Sequence, residues 1–406
     1  MLDVPAIRKD FPILERTVHG HPLVYLDNGA TTQVPEAVVA RIAEHYRTEN
    51  ANVHRGTHFL AHASTERLEE ARRRVARFVG AANDNCIVFT KGTTDAVNMV
   101  ASGLRHAIGP GDRVVATILE HHSNYVPWQQ LCLEHGAQFE VAQINEQGDL
   151  DLAALERLLR GGVKLVAVTG CSNVLGTVTP IEHIVQMAHD AGALCLVDGA
   201  QAMRHRVMDM QAIGCDFLCF SGHKLMAPTG IGALCGTPKA LEMLAPCEFG
   251  GEMVDAVAQE CTTFADLPLR LEAGTPNYVG AIALAEALDY LEGVGRENAA
   301  AYEDELVSHA EQALSAIAGV HVLGNPELRS GCVSFTVDNV HPFDLCSLAD
   351  KLGLALRSGN NCAQPLLAEL GLTSVARLSP AFYNTHDEID CAAQIVERVV
   401  PLVQQG

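Results

Sequence analysis

Ser221-Gly222-His223-Lys224 follows an apolar run at 217–220, and Asp198 follows another at 194–197. A lysine and an aspartate that each stand where a buried strand stops offer complementary chemistry. The amine can condense with an aldehyde, and the carboxylate can keep a pyridine nitrogen protonated, which are the two demands of pyridoxal phosphate. Either residue alone has a plain structural reading, because strand ends and turns favour Asp and Gly in any case. The remaining candidates must therefore fall on the same edge.

Lys91-Gly92-Thr93-Thr94-Asp95 is a glycine turn opening into a helix. The unpaired N–H groups and partial positive charge of a helix N-terminus bind phosphate. Thr93 and Thr94 are assigned to the cofactor phosphate, with Ser221 and His223 closing on it. In Glu120-His121-His122 the imidazole of His121 can lie over a pyridine ring and exchange protons near neutral pH. Asn173 and Gln201, each just beyond a strand, can reach the cofactor's phenolic oxygen or a substrate carboxylate. Cys362, within Arg357-Ser358-Gly359-Asn360-Asn361-Cys362, is read as the only cysteine clearly outside an apolar segment, and so as available for chemistry. Arg377 has the fork needed to grip a carboxylate in two parallel bonds. His54, His58 and His62 are spaced by four, but Gly56 weakens a helix there. They are read as solvated or hydrogen-bonded, and no metal is assigned.

Short β-rich runs at 86–90, 113–117, 138–141, 165–169, 194–197, 217–220 and 233–235 alternate with helical patterns at 95–106, 124–135, 151–159 and 181–191. This alternation predicts an α/β fold with a mostly parallel sheet covered on both faces. Ligands of such sheets bind beyond the carboxyl ends of the strands. Asp198 and Lys224 both fall there. Helices at 280–291 and 299–317 lead into a smaller α+β portion with strands at 320–323, 332–337 and 355–357 and a last helix at 388–403. The first twenty residues are expected to pack against it.

The 28 basic and 49 acidic residues give a formal charge of −21, which argues against nucleic-acid or anionic-membrane partners. The N-terminal stretch has no signal-like pattern and no apolar run approaches a membrane span, so the expectation is a soluble, cytoplasmic protein. Thirteen cysteines without a Cys-x-x-Cys, mostly in strand-like runs, read as reduced core thiols.

The chain resembles the fold-type I pyridoxal phosphate enzymes of the class V aminotransferase kind, and within them the group II cysteine desulfurases. The resemblance is carried by Leu26-Asp27-Asn28, Asn52-Val53-His54-Arg55-Gly56, Gly92-Thr93-Thr94, Glu120-His121-His122, Ser172-Asn173-Val174, Val197-Asp198-Gly199-Ala200-Gln201, Ser221-Gly222-His223-Lys224, Glu272-Ala273-Gly274-Thr275-Pro276-Asn277, Cys362-Ala363-Gln364-Pro365 and Tyr383-Asn384-Thr385. It implies a large cofactor-binding domain over 20–285 and a small α+β domain from 1–19 and 286–406. It also implies a homodimer in which Arg55 and Thr275 serve the partner's site, Thr275 at the phosphate. In the implied reaction Lys224 carries the cofactor and then acts as base. Arg377, with Arg357, Asn173, His54 and Arg55, binds L-cysteine, or L-selenocysteine through the same chemistry. Cys362 takes the sulfur as a persulfide for an acceptor protein, and alanine leaves.

The chain departs from the pattern at Asn360-Asn361, where a histidine is usual, at Phe249, at Met226-Ala227, and in smaller ways at Gly29 and Pro380. Without an imidazole beside Cys362 in sequence, the persulfide step is expected to be slower or more dependent on an acceptor. A class V lyase, aminotransferase or epimerase, and a cofactor-binding sulfur-transfer partner with little turnover, are the alternatives left open.

Overall fold

The computed structural model describes residues 2–404. Seven strands form the main sheet: β1 (Ile87–Thr90), β2 (Arg113–Thr117), β3 (Gln138–Ala142), β4 (Leu165–Thr169), β5 (Leu194–Asp198), β6 (Phe217–Ser221) and β7 (Gly232–Gly236). Their spatial order is β1-β7-β6-β5-β4-β2-β3, and only β7 runs antiparallel to its neighbours. Successive side chains of a strand point to opposite faces, so a strand buried on both sides must be apolar throughout. Leu165 and Ala167 of β4 enter one core with Leu196, Phe217 and Cys219. Val166 and Val168 enter the other with Val197, Leu218 and Phe220. Helices Thr93–Gly103 and Val126–His135 cover the first face, and Leu152–Leu159 and Ile181–Asp190 the second. Thr90, Thr117, Thr169, Asp198 and Ser221 consequently end on one edge.

Between the two sheets a hairpin, β8 (Val254–Val257) with β9 (Thr262–Phe264), stands exposed. The second sheet is antiparallel: β10 (Val320–Val322), β11 (Val333–Val337), β12 (Arg357–Gly359) and β13 (Val375–Leu378), in the order β10-β11-β13-β12. Helices Arg296–Ser315, Pro342–Asp350 and His386–Gln404 share a core with it. The strand expected at 355–357 is two: Leu354–Ala355 pairs with Val24–Tyr25, while β12 pairs with β13. The first residues contact segments from late in the chain. Arg8 donates to the Tyr383 carbonyl at 2.6 Å and pairs with Glu388, and Phe11 is buried against Phe382 and Tyr383. Helices Glu36–Thr48 and Phe59–Phe78, which the sequence reading does not identify, pack on Tyr278–Val294. Among the described residues no helix is long and apolar enough to cross a membrane.

Candidate active site

The carboxyl edge of the main sheet opens into a cleft of about 500 Å³, within the size range of small-molecule and cofactor sites. Lys224, Asp198, His121, Thr93, Thr94, Asn173, Gln201, Ser221, His223, Arg357, Cys362 and Arg377 all line it. Three of the expected residues do not. Thr275 lines a neighbouring hollow with Lys91 and Gly230. His54 and Arg55 lie outside as well, tied up with Glu69 and Glu252.

Lys224 follows β6 in a short turn of 3-10 helix, and Asp198 ends β5. Loss of hydration pushes the Lys224 amine down to about 8; Asp198 opposes this, while Arg377 and Arg204 push the same way. Burial raises the Asp198 carboxyl, and the Lys224 charge opposes the rise. Asp198 Oδ1 accepts the Ala200 amide at 2.8 Å, which orients the carboxyl. The Lys224 turn is gripped from the N-terminal segment: the His223 carbonyl accepts from Thr31 Oγ1, Thr32 Oγ1 and the Thr32 amide at 3.0–3.2 Å.

Helix Thr93–Gly103 points its N-terminus into the cleft. Its cap, Gly92, has φ +144°, and a Cβ there would lie 3.0 Å from Ser221 Oγ. Only glycine lets the strand end and the serine approach this closely. Ser221 Oγ accepts the Thr93 amide at 2.8 Å and shares a bond with Thr93 Oγ1. Thr94 Oγ1 bonds Ser123 Oγ at 2.6 Å. The amides of Thr94 and Asp95 have no acceptor within the helix, and they provide the anion cradle.

His121 Nδ1 accepts the Ser123 amide at 3.1 Å, so its ring is fixed. Burial first, then Lys224, lowers its imidazole to about 3, so it is neutral at ordinary pH. Beneath it Glu120 is fully enclosed: Thr117 Oγ1 and Asn124 Nδ2 donate to its carboxyl at 2.6 Å, and the Thr169 amide at 2.9 Å. Burial nonetheless pushes the Glu120 carboxyl up to about 8.

On the opposite wall Arg377, on β13, donates through Nη1 to the Asn173 carbonyl at 2.8 Å and through Nη2 to Asp27 at 3.2 Å. Arg357 Nη1 lies 3.8 Å from the same aspartate. Arg377 Nε and Asn173 Oδ1 are buried with no partner among the described residues. Gly29 permits this packing, because a Cβ there would sit 3.2 Å from the guanidinium. Asp27 and Glu120 are part of the site, but sequence reasoning assigned neither a role; their only signal was that both stand inside motifs quoted for neighbouring residues.

Cys362 is exposed at the mouth of the cleft. The expectation that it alone lies outside apolar surroundings needs correction. Cys261, in the β8–β9 hairpin, is exposed too, and Cys247 and Cys391 are partly so. Cys261 stands in a polar stretch between Glu260 and Thr262, Cys247 lies in a loop, and Cys391 is on the helix His386–Gln404. The histidine series is broken: His54 has φ +65°, His58 caps helix Phe59–Phe78 and His62 lies within it. No group of three or more His, Cys, Asp or Glu side chains forms a metal site among the described residues.

These residues fit pyridoxal phosphate. The glycine cradle suits the phosphate, the paired Lys224 and Asp198 suit the aldehyde and ring nitrogen, and the unpartnered atoms on Arg377 and Asn173 await polar groups.

Known proteins agree with this geometry. A probable cysteine desulfurase of Halalkalibacterium halodurans is 44% identical over 98% of both chains. A cysteine desulfurase of Dickeya dadantii is 45% identical over 95% of this chain and 94% of its own. The crystal structure of the cysteine desulfurase CsdA from Escherichia coli superposes with a TM-score of 0.92 at 37% identity, covering 99% of this chain and 100% of that one. The family described as Aminotransferase class-V matches residues 24–391, a span that holds every residue of the cleft described above, and the chain belongs to that family.

Proposed function

We propose that this chain is a pyridoxal phosphate-dependent cysteine desulfurase that converts L-cysteine to L-alanine and keeps the sulfur as a persulfide on Cys362. One observation carries the reading: an exposed thiol stands at the mouth of a cleft that is also lined by a buried amine and a buried carboxylate, each acting on the other's charge. Thr93, Thr94, Ser221 and His223 hold the phosphate, with Thr275 supplied by the partner of a homodimer. Asp198 would serve the ring nitrogen, His121 the ring, Gln201 and Asn173 the phenolic oxygen, and Lys224 would be the point of attachment. When bound, the cofactor supplies an electron-accepting ring that weakens bonds at the carbon bearing the amino group.

Arg377 offers its free Nε beside Nη2, the edge that a carboxylate grips in two parallel bonds. Arg357 and Asn173 assist, and His54 and Arg55 act from the neighbouring subunit's side. Lys224 Nζ, uncharged above about pH 8, takes the proton from the substrate α-carbon and returns it. Cys362 Sγ, as thiolate, attacks the substrate sulfur: the Cβ–S bond breaks, an S–S bond to Sγ forms, and the carbon skeleton leaves protonated as alanine. One cysteine and one thiol thus give one alanine and one persulfide, with the outer sulfur passing to an acceptor protein's thiol.

The test is a product assay on holoenzyme. L-Cysteine should yield alanine and transferable sulfur in equal amounts, and Cys362→Ala should remove this while sparing cleavage of L-selenocysteine. Full alanine release from L-cysteine by Cys362→Ala would overturn the reading in favour of a lyase with an incidental thiol.

A further inference from the structure

The loop that carries Cys362 is held in a conformation that its own residues resist. Asn361 and Cys362 have successive φ values of +49° and +53°. Two neighbouring non-glycine residues in the left-handed region persist only where the surroundings over-determine them. Within the loop, Asn360 supplies two bonds: its Oδ1 accepts the Cys362 amide at 2.9 Å and its carbonyl accepts the Ala363 amide at 3.0 Å. From outside, Asn173 Nδ2 donates to the Asn361 carbonyl at 2.6 Å. Asn361 Nδ2 also donates to the Gly359 carbonyl at 3.3 Å. Among the described residues, the other hydrogen bonds that reach Cys362 and Gln364 from outside the loop run to a single residue. The His122 amide donates to the Cys362 carbonyl at 2.7 Å, and the Gln364 amide donates to His122 Nε2 at 3.1 Å.

We propose that His122 is the positioning residue that fixes the Cys362 thiol at the cleft mouth, holding the loop by its main chain at the cysteine's own carbonyl and by its ring at the Gln364 amide, two residues further on. The inference rests on Cys362 being the sulfur-accepting thiol. Because Nε2 accepts, the ring hydrogen sits on Nδ1 and the imidazole acts as a neutral acceptor. His122 is itself well anchored. It opens the turn His122–Asn124, and Asn124 is bonded through its side chain to the enclosed Glu120. The preceding residue, His121, lines the cleft. One dipeptide therefore presents one ring to the cofactor site and the other to the cysteine loop. The imidazole absent from positions 360 and 361 is replaced in space by a ring from the end of β2, acting on the loop's geometry.

The proposal separates two variants of similar polarity. In His122→Gln, Oε1 can reach the place of Nε2 and accept the Gln364 amide; in His122→Asn the side chain is too short. In holoenzyme supplied with L-cysteine, His122→Asn should lower kcat about five- to tenfold, the worth of one hydrogen bond, with KM within about twofold of wild type. Iodoacetamide should alkylate Cys362 severalfold faster in His122→Asn, because the loop is released. His122→Gln should restore both readouts. Equal kcat and equal alkylation rates in His122→Asn and wild type would overturn the proposal, as would a His122→Gln variant as impaired as His122→Asn. If Cys362→Ala still releases alanine from L-cysteine at the full rate, the desulfurase reading fails, and the alkylation comparison still decides whether His122 holds the loop.

Discussion

Lys224 and Asp198 share a fate: leaving water disfavours the charge on each, and each is the other's main compensation. An amine lowered from 10.5 to about 8 gains its neutral, nucleophilic form as pH rises through 8. Capture of added pyridoxal phosphate by cofactor-free protein should therefore rise with pH to a midpoint near 8, followed by the absorbance of the linked cofactor, and vanish in Lys224→Ala. A midpoint near 10.5 would mean that the amine is fully hydrated. The cleft residues that the sequence revealed are those whose type and place next to a strand end suggest the chemistry, Lys224, Asp198 and His121, and Arg377 by its type alone. Asp27 and Glu120 were illegible because their roles lie in their partners. Asp27 meets Arg377 across a separation of 350 residues along the chain, and no local spacing encodes such a contact.

Glu120 is where the elements of the edge are joined. Its carboxyl takes hydrogen bonds from the last residues of β2 and β4 and from the turn before helix Val126–His135. All three partners donate, so above about pH 8, where Glu120 is ionised, Glu120→Gln sets an N–H₂ against donors and should cost about 1–3 kcal/mol of stability. A lowered urea midpoint would register it; an unchanged one would mean that a hydroxyl or amide turns to accept. The seven strands of the main sheet were legible to within a residue or two, the inner ones because burial on both faces demands unbroken apolar runs such as Leu165–Thr169; the edge strand β3 is mostly part-exposed. β13 escaped notice because Arg377 interrupts its four residues, although the strand is buried throughout. The helix Phe59–Phe78 was obscured by Gly56 and the histidine spacing, which drew attention to the loop before it.

At the scale of the molecule, the proposed homodimer explains why Arg55 and Thr275 stand away from their own cleft, and why Phe59, just beyond Arg55, is 83% exposed. Lys224→Ala protein and an Arg55→Ala, Thr275→Ala double variant should each be inactive. Mixed under conditions of subunit exchange, they should regain about a quarter of wild-type turnover, since half the dimers are hybrids with one intact cleft. No recovery would confine each site to one subunit. The cleft also draws on both ends of the chain: Thr31 and Thr32 grip the Lys224 turn, the Leu26 carbonyl accepts from Ser379, and Asp27 pairs with Arg377. During synthesis the phosphate cradle and the lysine emerge long before the wall that encloses them. A nascent chain still waiting for its last strand holds that lysine in an open, watery groove, so vitamin uptake belongs to the finished polypeptide and not to the ribosome-bound one.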